Sequence, residues 1–365
     1  MAMNLLFWDK NKEIGLAGTG ARARLFGRMH PSYNSMHDQF IVPHPHSTRG
    51  FIFKDNTYIK LLLPNEGGEY DHLVFGSDND IVIDFAERLL DVGVAFQAGR
   101  DYYIYLCHKA PEGTQKTATS DLVISLNSTF PQGYNRDNSR KIGGFHTLCL
   151  AVPDNAANAD SALRGYNTAD ILPSTFWDLG HRCGGFFQEG TLYDPRMQVW
   201  SFIYMQSGSG ANTRSIFGGT VTKSQVFAQH VEDLMLVGFQ PLQDEEFSSL
   251  AEGSNQRTAI QGAADPITTG GRVDTAGRRM TSDLGAEDCC GAYWQWLAGW
   301  SFGNTAGPVA DGTKGGVWNT NALIAGGSWS SGTSCGSRAR HANHSRLSVT
   351  TNGGCRGRAR SRASR

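Results

Sequence analysis

GGSWSSGTSCGSRARHANHSRLSVTTNGGCRG, residues 326–357, sets glycines, one tryptophan and several arginines among Ser, Thr, Asn and His. By composition alone it reads as an ordinary polar surface loop, because these residues favour turns over periodic elements. Its setting argues for more. From residue 257 onward there is little regular periodicity for a hundred residues, yet Trp294, Trp296, Trp300, Trp318 and Trp329 are five of the chain's eight tryptophans. Large rings supply burial that sparse secondary structure does not, and glycines let the backbone turn closely around them. The expectation is a loop-rich domain whose tryptophans pack in a core rather than line a sugar site.

Upstream, regular patterns return. Ser224 as N-cap, followed by Phe227, Val231 and Leu234 at i, i+4 and i+7, predicts a helix ending at Gly238. A second helix follows residues 241–243, with Asp244, Glu245 and Glu246 near its positive end and Phe247, Leu250 and Ala251 turned inward. MQVWSFIYM (197–205) is a short strand, and PDNAANADSALRG (153–165) reads as a linker. Between residues 51 and 152 the pattern is β: FIFKDNTYIKLLL, HLVFGSDNDIVIDF, DYYIYLC, DLVISLNSTF and GGFHTLCLAV are β-branched and aromatic runs. Turn formers at 65–68 and 131–133 separate them, which predicts an antiparallel sandwich or small barrel. Residues 1–50 are polar and irregular, with His30, His37, His44 and His46, and contain little to form an independent core.

The chain has 365 residues, 39% of them hydrophobic, with 44 Gly, so it is long enough for two or three domains and is neither disordered nor collagen-like. No stretch approaches the apolar length of a membrane span, and the start lacks a basic-then-apolar signal segment. This predicts a soluble chain made in a cytoplasm, with Met3 as its natural start. Seven cysteines, none in a CxxC pair, argue against a disulfide framework or a zinc knuckle. The adjacent Cys289 and Cys290 read as buried thiols rather than a redox pair.

Charge is distributed unevenly. Every acid lies at or before Asp311, and eight arginines follow from Arg338 to Arg365. Residues 1–337 carry 25 basic and 34 acidic groups, a net charge of −9. A basic end on an acidic body implies internal docking, an anionic partner or a solvated tail. Without interleaved aromatics, nucleic acid is the weaker choice of partner. His341 and His344 have no third ligand at suitable spacing and read as solvated loop histidines. His44-Pro45-His46 would offer six imidazoles to one metal ion in a parallel trimer, but the simpler reading is an extended loop. No metal or other cofactor is expected.

GRDYYIYLC (99–107), PQGYNRDNSRKIGGFH (131–146), STFWDLGHR (174–182), YWQWLAGW (293–300), GGSW (326–329), GSR (336–338) and RG (356–357) also form an ordered set. In order and spacing it resembles the variable proteins of diversity-generating retroelements, particularly the trimeric receptor-binding members at phage tail-fibre tips. The likeness spans most of the chain from about residue 50. The Arg-rich end GRARSRASR (357–365) and the first 50 residues depart from the family pattern.

The resemblance implies an α+β chain. A short N-terminal attachment and trimerisation region (1–50) would precede an antiparallel β-sandwich (51–160) and a C-type-lectin domain (161–365) of the type shared with formylglycine-generating enzymes. It implies a variable region at about 318–357, rewritten by a reverse transcriptase that changes template adenines. Matched by position, the ligand-binding sites would be Ser328, Ser330, Ser331, Ser334, His341, Asn343, His344, Ser345, Ser348, Thr350, Asn352 and Gly353. The fixed frame would be Gly326, Gly327, Trp329, Gly336, Ser337, Arg338, Gly354, Arg356 and Gly357, with Trp329 buried and Arg338 and Arg356 bonded to loop carbonyls or carboxylates. An AAC or AAT codon changed only at its adenines encodes Asn, Ser, Thr, His, Gly, Tyr, Asp and several apolar residues, but never Lys, Glu, Gln, Met or Trp. Every assigned site obeys that rule.

The implied activity is non-covalent recognition of a protein or glycan receptor on a target cell by a homotrimer in a virion tail fibre, without catalysis or membrane insertion. The alternative is a cellular variable protein, cytoplasmic or exported, with no virion. An oxidase reading through the shared fold is weaker, because Cys335 and Cys355 are twenty residues apart and the enzymes' close cysteine pair is missing.

Overall fold

The computed structural model describes residues 22–26, 39–55, 57–64, 70–93, 95–109, 119–302 and 320–362. His30, His37, Trp318 and most of the expected N-terminal region lie outside the described residues. Two compact units emerge, one built from residues up to 147 together with 170–182, the other from 148–169 and 183–362. The sequence boundary at residue 160 falls inside the 148–169 segment of the second unit.

The first unit contains β1 (Arg22–Phe26), β2 (Ile41–Pro43), β3 (Phe51–Phe53), β4 (Thr57–Pro64), β5 (Tyr70–Ser77), β6 (Ile81–Ile83), β7 (Asp101–Lys109), β8 (Thr119–Ser125), β9 (Ser139–His146) and β10 (Trp177–Asp178). They form antiparallel sheets in the orders β1-β4-β5, β2-β3-β6 and β10-β9-β7-β8. Each β run read from sequence contains a strand here, although GGFHTLCLAV leaves its strand after His146 and DLVISLNSTF after Ser125. Strand β7 lies between two neighbours and is buried from Tyr102 to Cys107, which is why it reads as a continuous apolar run rather than an alternation. A chain of rings joins the elements: Phe40 to Phe53 at 5.3 Å, Phe51 to Phe176 at 6.2 Å and Phe176 to Phe145 at 5.4 Å. The end of the N-terminal region is tied in by Asp178, whose carboxylate accepts the backbone N–H groups of Phe40 and Ile41 at 2.6 and 2.9 Å.

In the second unit are β11 (Thr191–Asp194), β12 (Val199–Phe202), α1 (Phe227–Leu236), β13 (Gln240–Pro241), α2 (Asp244–Leu250), β14 (Trp294–Phe302), β15 (Thr320–Gly326), β16 (Gly336–Ser345), β17 (Gly353–Cys355) and β18 (Gly357–Arg360). The sheets run β11-β12-β18-β13 and β16-β15-β14-β17, antiparallel except where β14 meets β17. The described chain is therefore mostly β with two short α-helices, and its sheets are predominantly antiparallel.

Three sequence expectations need correction. The segment 153–165 is no linker: it folds onto the second unit, where Leu163 is buried and the Asn158 side chain accepts the Arg279 N–H at 3.0 Å. Helix α1 starts at Phe227 rather than just after Ser224, because Ser224 donates its N–H to the Thr350 carbonyl and takes a left-handed φ of 58°. The inward face is nonetheless Phe227, His230 and Leu234, close to the predicted one. Finally, the described part of the aperiodic hundred residues holds five strands, β14 to β18. Regular alternation is hidden in β14 by a register shift between Trp296 and Trp300.

Within the described residues, up to 362, the Arg-rich end is docked. Strand β18 inserts between β12 and β13, Arg358 pairs with Glu246 at 3.2 Å, and Arg360 donates to the Met197 carbonyl at 3.0 Å. An acid-free terminus is thereby matched to the acidic first turn of α2, whose dipole already favours negative charge there.

Candidate functional site

The start of β14 is the spine of the site. On one side Ala292 bridges Ser328 and accepts the Trp329 N–H at 3.0 Å; on the other, Trp294 pairs with Gly353 and donates its N–H to the Asn352 carbonyl at 3.0 Å. Across the sheet, Ile324 of β15 stands opposite both Trp296 and His341. Three separate stretches of the expected variable region, 328–334, 341–345 and 350–353, thus meet around Tyr293, Trp294 and Trp296.

The rings make this explicit. Trp294 lies 5.8 Å from His341, Trp296 lies 6.1 Å from His344, the two histidines are 6.0 Å apart, and Tyr293 meets Trp329 edge-on at 5.1 Å. Burial, with the neighbouring His341 adding to it, lowers the pKa of His344 below the ordinary histidine value. Beside Tyr293, Lys223 pairs with Asp265, and Tyr293 donates its hydroxyl to the same carboxylate. Burial raises Asp265, but the hydrogen bonds from Lys223 and Tyr293 outweigh it and hold the carboxyl below its usual range.

The backbone frame is fixed by glycines. Gly326 and Gly327 have φ of 92° and 86°; a Cβ on the first would clash with the Cys289 carbonyl, and one on the second would lie 2.7 Å from the Cys335 sulfur. Arg356 is fully buried. It donates to the carbonyls of Phe202 (2.8 Å), Ile203 and Glu287 (2.5 Å) and to the Gln295 side chain (3.1 Å).

The assigned sites divide by accessibility. Ser330, Ser334 and His341 are exposed, whereas Ser331, His344, Ser345, Ser348 and Asn352 are half-buried. Ser328, Thr350 and Gly353 are buried and do not point outward. The Ser328 hydroxyl is enclosed by those of Ser330 at 3.2 Å and Ser331 at 3.1 Å. Asn343 lies on β16, and its side chain is outside the described residues.

Two frame assignments change. Trp329 is half-buried, packed edge-on to Tyr293 against a buried cluster that also holds Met205 and Val221, rather than sealed. Arg338 is exposed, and the bonded fork is Arg340 instead, which pairs with Asp244 and donates to the Ser248 hydroxyl at 2.6 Å. The pairing of β15 with β16 shifts register between Arg340, opposite Ala325, and Gly336, opposite Gly326, so Arg338 lies in the irregular stretch while Arg340 is carried over Phe247 of α2. Sequence reasoning also passed over Leu347 and Val349, exposed in the loop between β16 and β17. The signal was available in their isolation among polar neighbours.

The described cysteines are buried and unpaired, and burial pushes the Cys335 thiol up to about 11 and that of Cys355 to about 12. Thiolate is the nucleophile and the metal ligand, so these groups are held in the inert form at neutral pH. At His44, Nε2 lies 3.0 Å from Asp84 and Nδ1 accepts the His46 N–H at 3.0 Å, so both ring nitrogens are engaged within the chain. No described helix is long and apolar enough to cross a membrane.

The chain is similar in sequence and in fold to known proteins. A family profile described as the Mtd second domain matches residues 50–178. The tail fiber receptor-binding protein of Bordetella phage BPP-1 is 28% identical over 274 residues, an alignment spanning 67% of this chain and 67% of that protein. Among solved structures, the Major Tropism Determinant I1 and U1 variants are 22% and 23% identical, each with a TM-score of 0.64 and covering 90% of this chain and 84% of theirs. The chain resembles the Major Tropism Determinant and shares its fold.

Proposed function

We propose that this chain, built on the fold of the Major Tropism Determinant, is the variable receptor-binding protein of a diversity-generating retroelement, acting at a phage tail-fibre tip. The observation that carries the reading is the meeting of three stretches of the variable region around the start of β14, on a backbone pinned by Gly326, Gly327 and buried Arg356. Likeness to a protein named as a tail fiber receptor-binding protein supplies the setting. In this reading residues 51–160 form the sandwich, residues 161–365 the C-type-lectin domain, and the N-terminal 50 residues attach and trimerise the chain. The mechanism is non-covalent binding of a protein or glycan receptor. Thiols held neutral by burial favour binding over the cysteine chemistry of formylglycine-generating enzymes.

Most assigned side chains are small and polar, without the Tyr, Trp and Arg anchors that dominate interface energy, so one copy binds weakly. Three copies per tip and many tips per virion raise avidity by a factor of about 10² to 10⁴. The test is deep sequencing of the segment encoding residues 318–357 in a population passaged with the retroelement's reverse transcriptase active. Replacements are expected at Ser330, Ser334, His341 and the other assigned sites, and none at Gly326, Gly327 or Arg356. Replacements spread evenly along the segment, or absent altogether, overturn the proposal.

A further inference from the structure

We propose that the cleft beside strand β18, at the Arg-rich end, is a second binding site that takes an extended acidic segment of another protein, seated by its carboxylates and one large apolar side chain. The proposal is independent of the recognition face, with which the cleft shares no residue. The cleft encloses about 510 Å³, within the roughly 300–1,000 Å³ of ordinary binding clefts, and Arg358, Arg360 and Arg362 line it together with Met235 and Phe239.

Local structure sets the arginines in a row. Strand β18 is paired in regular register, Arg358 opposite Ser201 and Gln240 and Arg360 opposite Val199. Ala359 is buried, and the Ser361 hydroxyl accepts the Trp200 indole N–H at 3.2 Å, so the small residues face the core and the arginines face the cleft. Arg358 is paired with Glu246 at 3.2 Å. Arg360 donates to the Met197 carbonyl at 3.0 Å, Arg362 is exposed, and neither pairs with a carboxylate among the described residues. Residues 312–365 contain no acid, so their own segment offers nothing to neutralise these two charges.

The apolar part is held out by the backbone. Phe186 and Met235 are 79% and 60% exposed, although both side chains are large. Phe186 donates its N–H to the Val237 carbonyl at 3.0 Å, and its ring lies against Gly238, where a Cβ would come within 2.9 Å of it. With a φ of 79°, Gly238 ends α1 and at the same time leaves the space that the ring occupies beside the cleft. Exposed apolar groups gathered beside unpaired charge mark an interaction site.

Chemistry selects the occupant. Alternate side chains of a strand stand about 6.7 Å apart, and the same repeat holds in any extended segment laid along it. Carboxylates at positions i and i+2 of such a segment match Arg360 and Arg362. A lone inorganic anion would leave Phe186 and Met235 in water, and a flat lipid surface would not fill a cleft. An acidic segment carrying one large apolar residue satisfies both parts.

The experiment pans a displayed random dodecapeptide library against the full chain. Enriched peptides are then titrated by fluorescence anisotropy against the parent and the variants Arg360→Glu/Arg362→Glu, Arg360→Lys/Arg362→Lys and Phe186→Ser/Met235→Ser, with thermal melts and light scattering as checks of fold and mass. One peptide family is expected to place Asp or Glu at i and i+2 near a Leu, Ile or Phe. Charge reversal and loss of the apolar pair should each weaken its binding by about tenfold or more, and the lysine variant by less, at unchanged melting temperature and mass. Should the charge-reversed protein melt early, the Phe186/Met235 variant decides. No such family, or binding unchanged in the charge-reversed and apolar variants, overturns the cleft as a site and leaves the recognition face untouched. Loss on charge reversal alone, with displacement by inorganic phosphate, shows a simple anion site and overturns the protein-segment assignment. Equally tight, equally charge-dependent binding to phosphatidylglycerol vesicles overturns it too. A fall in mass of any variant identifies a second copy of this chain as the occupant, which also overturns the proposal.

Discussion

Arg356 is a buried guanidinium whose four hydrogen bonds all reach neutral oxygens, on Phe202, Ile203, Glu287 and Gln295. Its fork joins the end of β12, the loop before β14 and β14 itself, so one side chain fixes the spacing of the strands that carry the site. Removing it strands buried carbonyls without donors, and each such loss costs about 1–3 kcal/mol. Arg356→Met is therefore expected to lower stability by about 3 kcal/mol or more, whereas Arg338→Ala, at an exposed position, shifts it by no more than about 0.5 kcal/mol. Urea denaturation of the two variants checks this; an Arg356→Met protein as stable as the parent removes the fork from its structural role. The two arginines look equivalent in sequence. What separates them is their surroundings: Arg356, between β17 and β18, is enclosed by carbonyls of Phe202, Ile203 and Glu287, whereas Arg338 on β16 stands in solvent, and those carbonyls come from residues far away in sequence.

At the scale of elements, α1 carries a buried titratable group on its packed face. The His230 Nδ1 lies 2.8 Å from the Gln206 Oε1, its Nε2 is buried without a hydrogen-bond partner, and burial pushes its pKa down to about 4 despite the nearby Asp233. The unfolded chain takes up this proton near pH 6.5, before the folded one does. Stability from this group is therefore complete above about pH 6.5 and is lost progressively as pH falls toward 4, by about 3 kcal/mol at most. His230→Gln should flatten the decline in melting temperature between pH 7 and pH 4.5 relative to the parent; parallel curves for the two proteins count against a neutral buried imidazole. The legibility of each element followed its physics. Strands β3 to β9 announce themselves because β-branched and aromatic residues sit within single local runs. The end of α1 at Gly238 is legible for the same local reason, whereas its start is displaced by the long-range bond from Ser224 to Thr350. Strand β16, GSRARHANHS, looks like a loop because its composition answers to the exposed face and not to the strand beneath. The frame glycines at 326 and 327 were readable, and the burial of Thr350 was not, since the bond that holds its backbone comes from Ser224, far away in sequence.

Across the whole molecule, the proposed diversification and folding would share one surface, with demands that differ from site to site. Ser330, Ser334 and His341 stand in solvent, so replacements there should be well tolerated: about 0.5 kcal/mol or less at Ser334, and somewhat more at Ser330, whose hydroxyl meets that of Ser328, and at His341, whose ring lies beside Trp294. Ser328 is fully buried, with its hydroxyl against those of Ser330 and Ser331, so His or Tyr there is expected to destabilise the fold. Thr350 and Gly353 form a coupled pair, because a Cβ at 353 would clash with the Thr350 hydroxyl and would lie 3.3 Å from the Trp296 Nε1. A side chain at 353 is thus expected to be accepted only with a smaller residue at 350, and the double-mutant coupling between these positions should fall in the range of about 0.5–3 kcal/mol. A library carrying adenine-compatible residues at 328, 330, 334, 341, 350 and 353, displayed on cells and challenged with protease, measures this directly. Cleaved clones should concentrate in large residues at 328 and in non-glycine residues at 353 beside an intact Thr350, while changes at 330, 334 and 341 leave resistance unaltered. Uniform resistance at all six positions would mean that the frame yields where these contacts say it is tight, and that the diversified residues are limited by the coding rule alone.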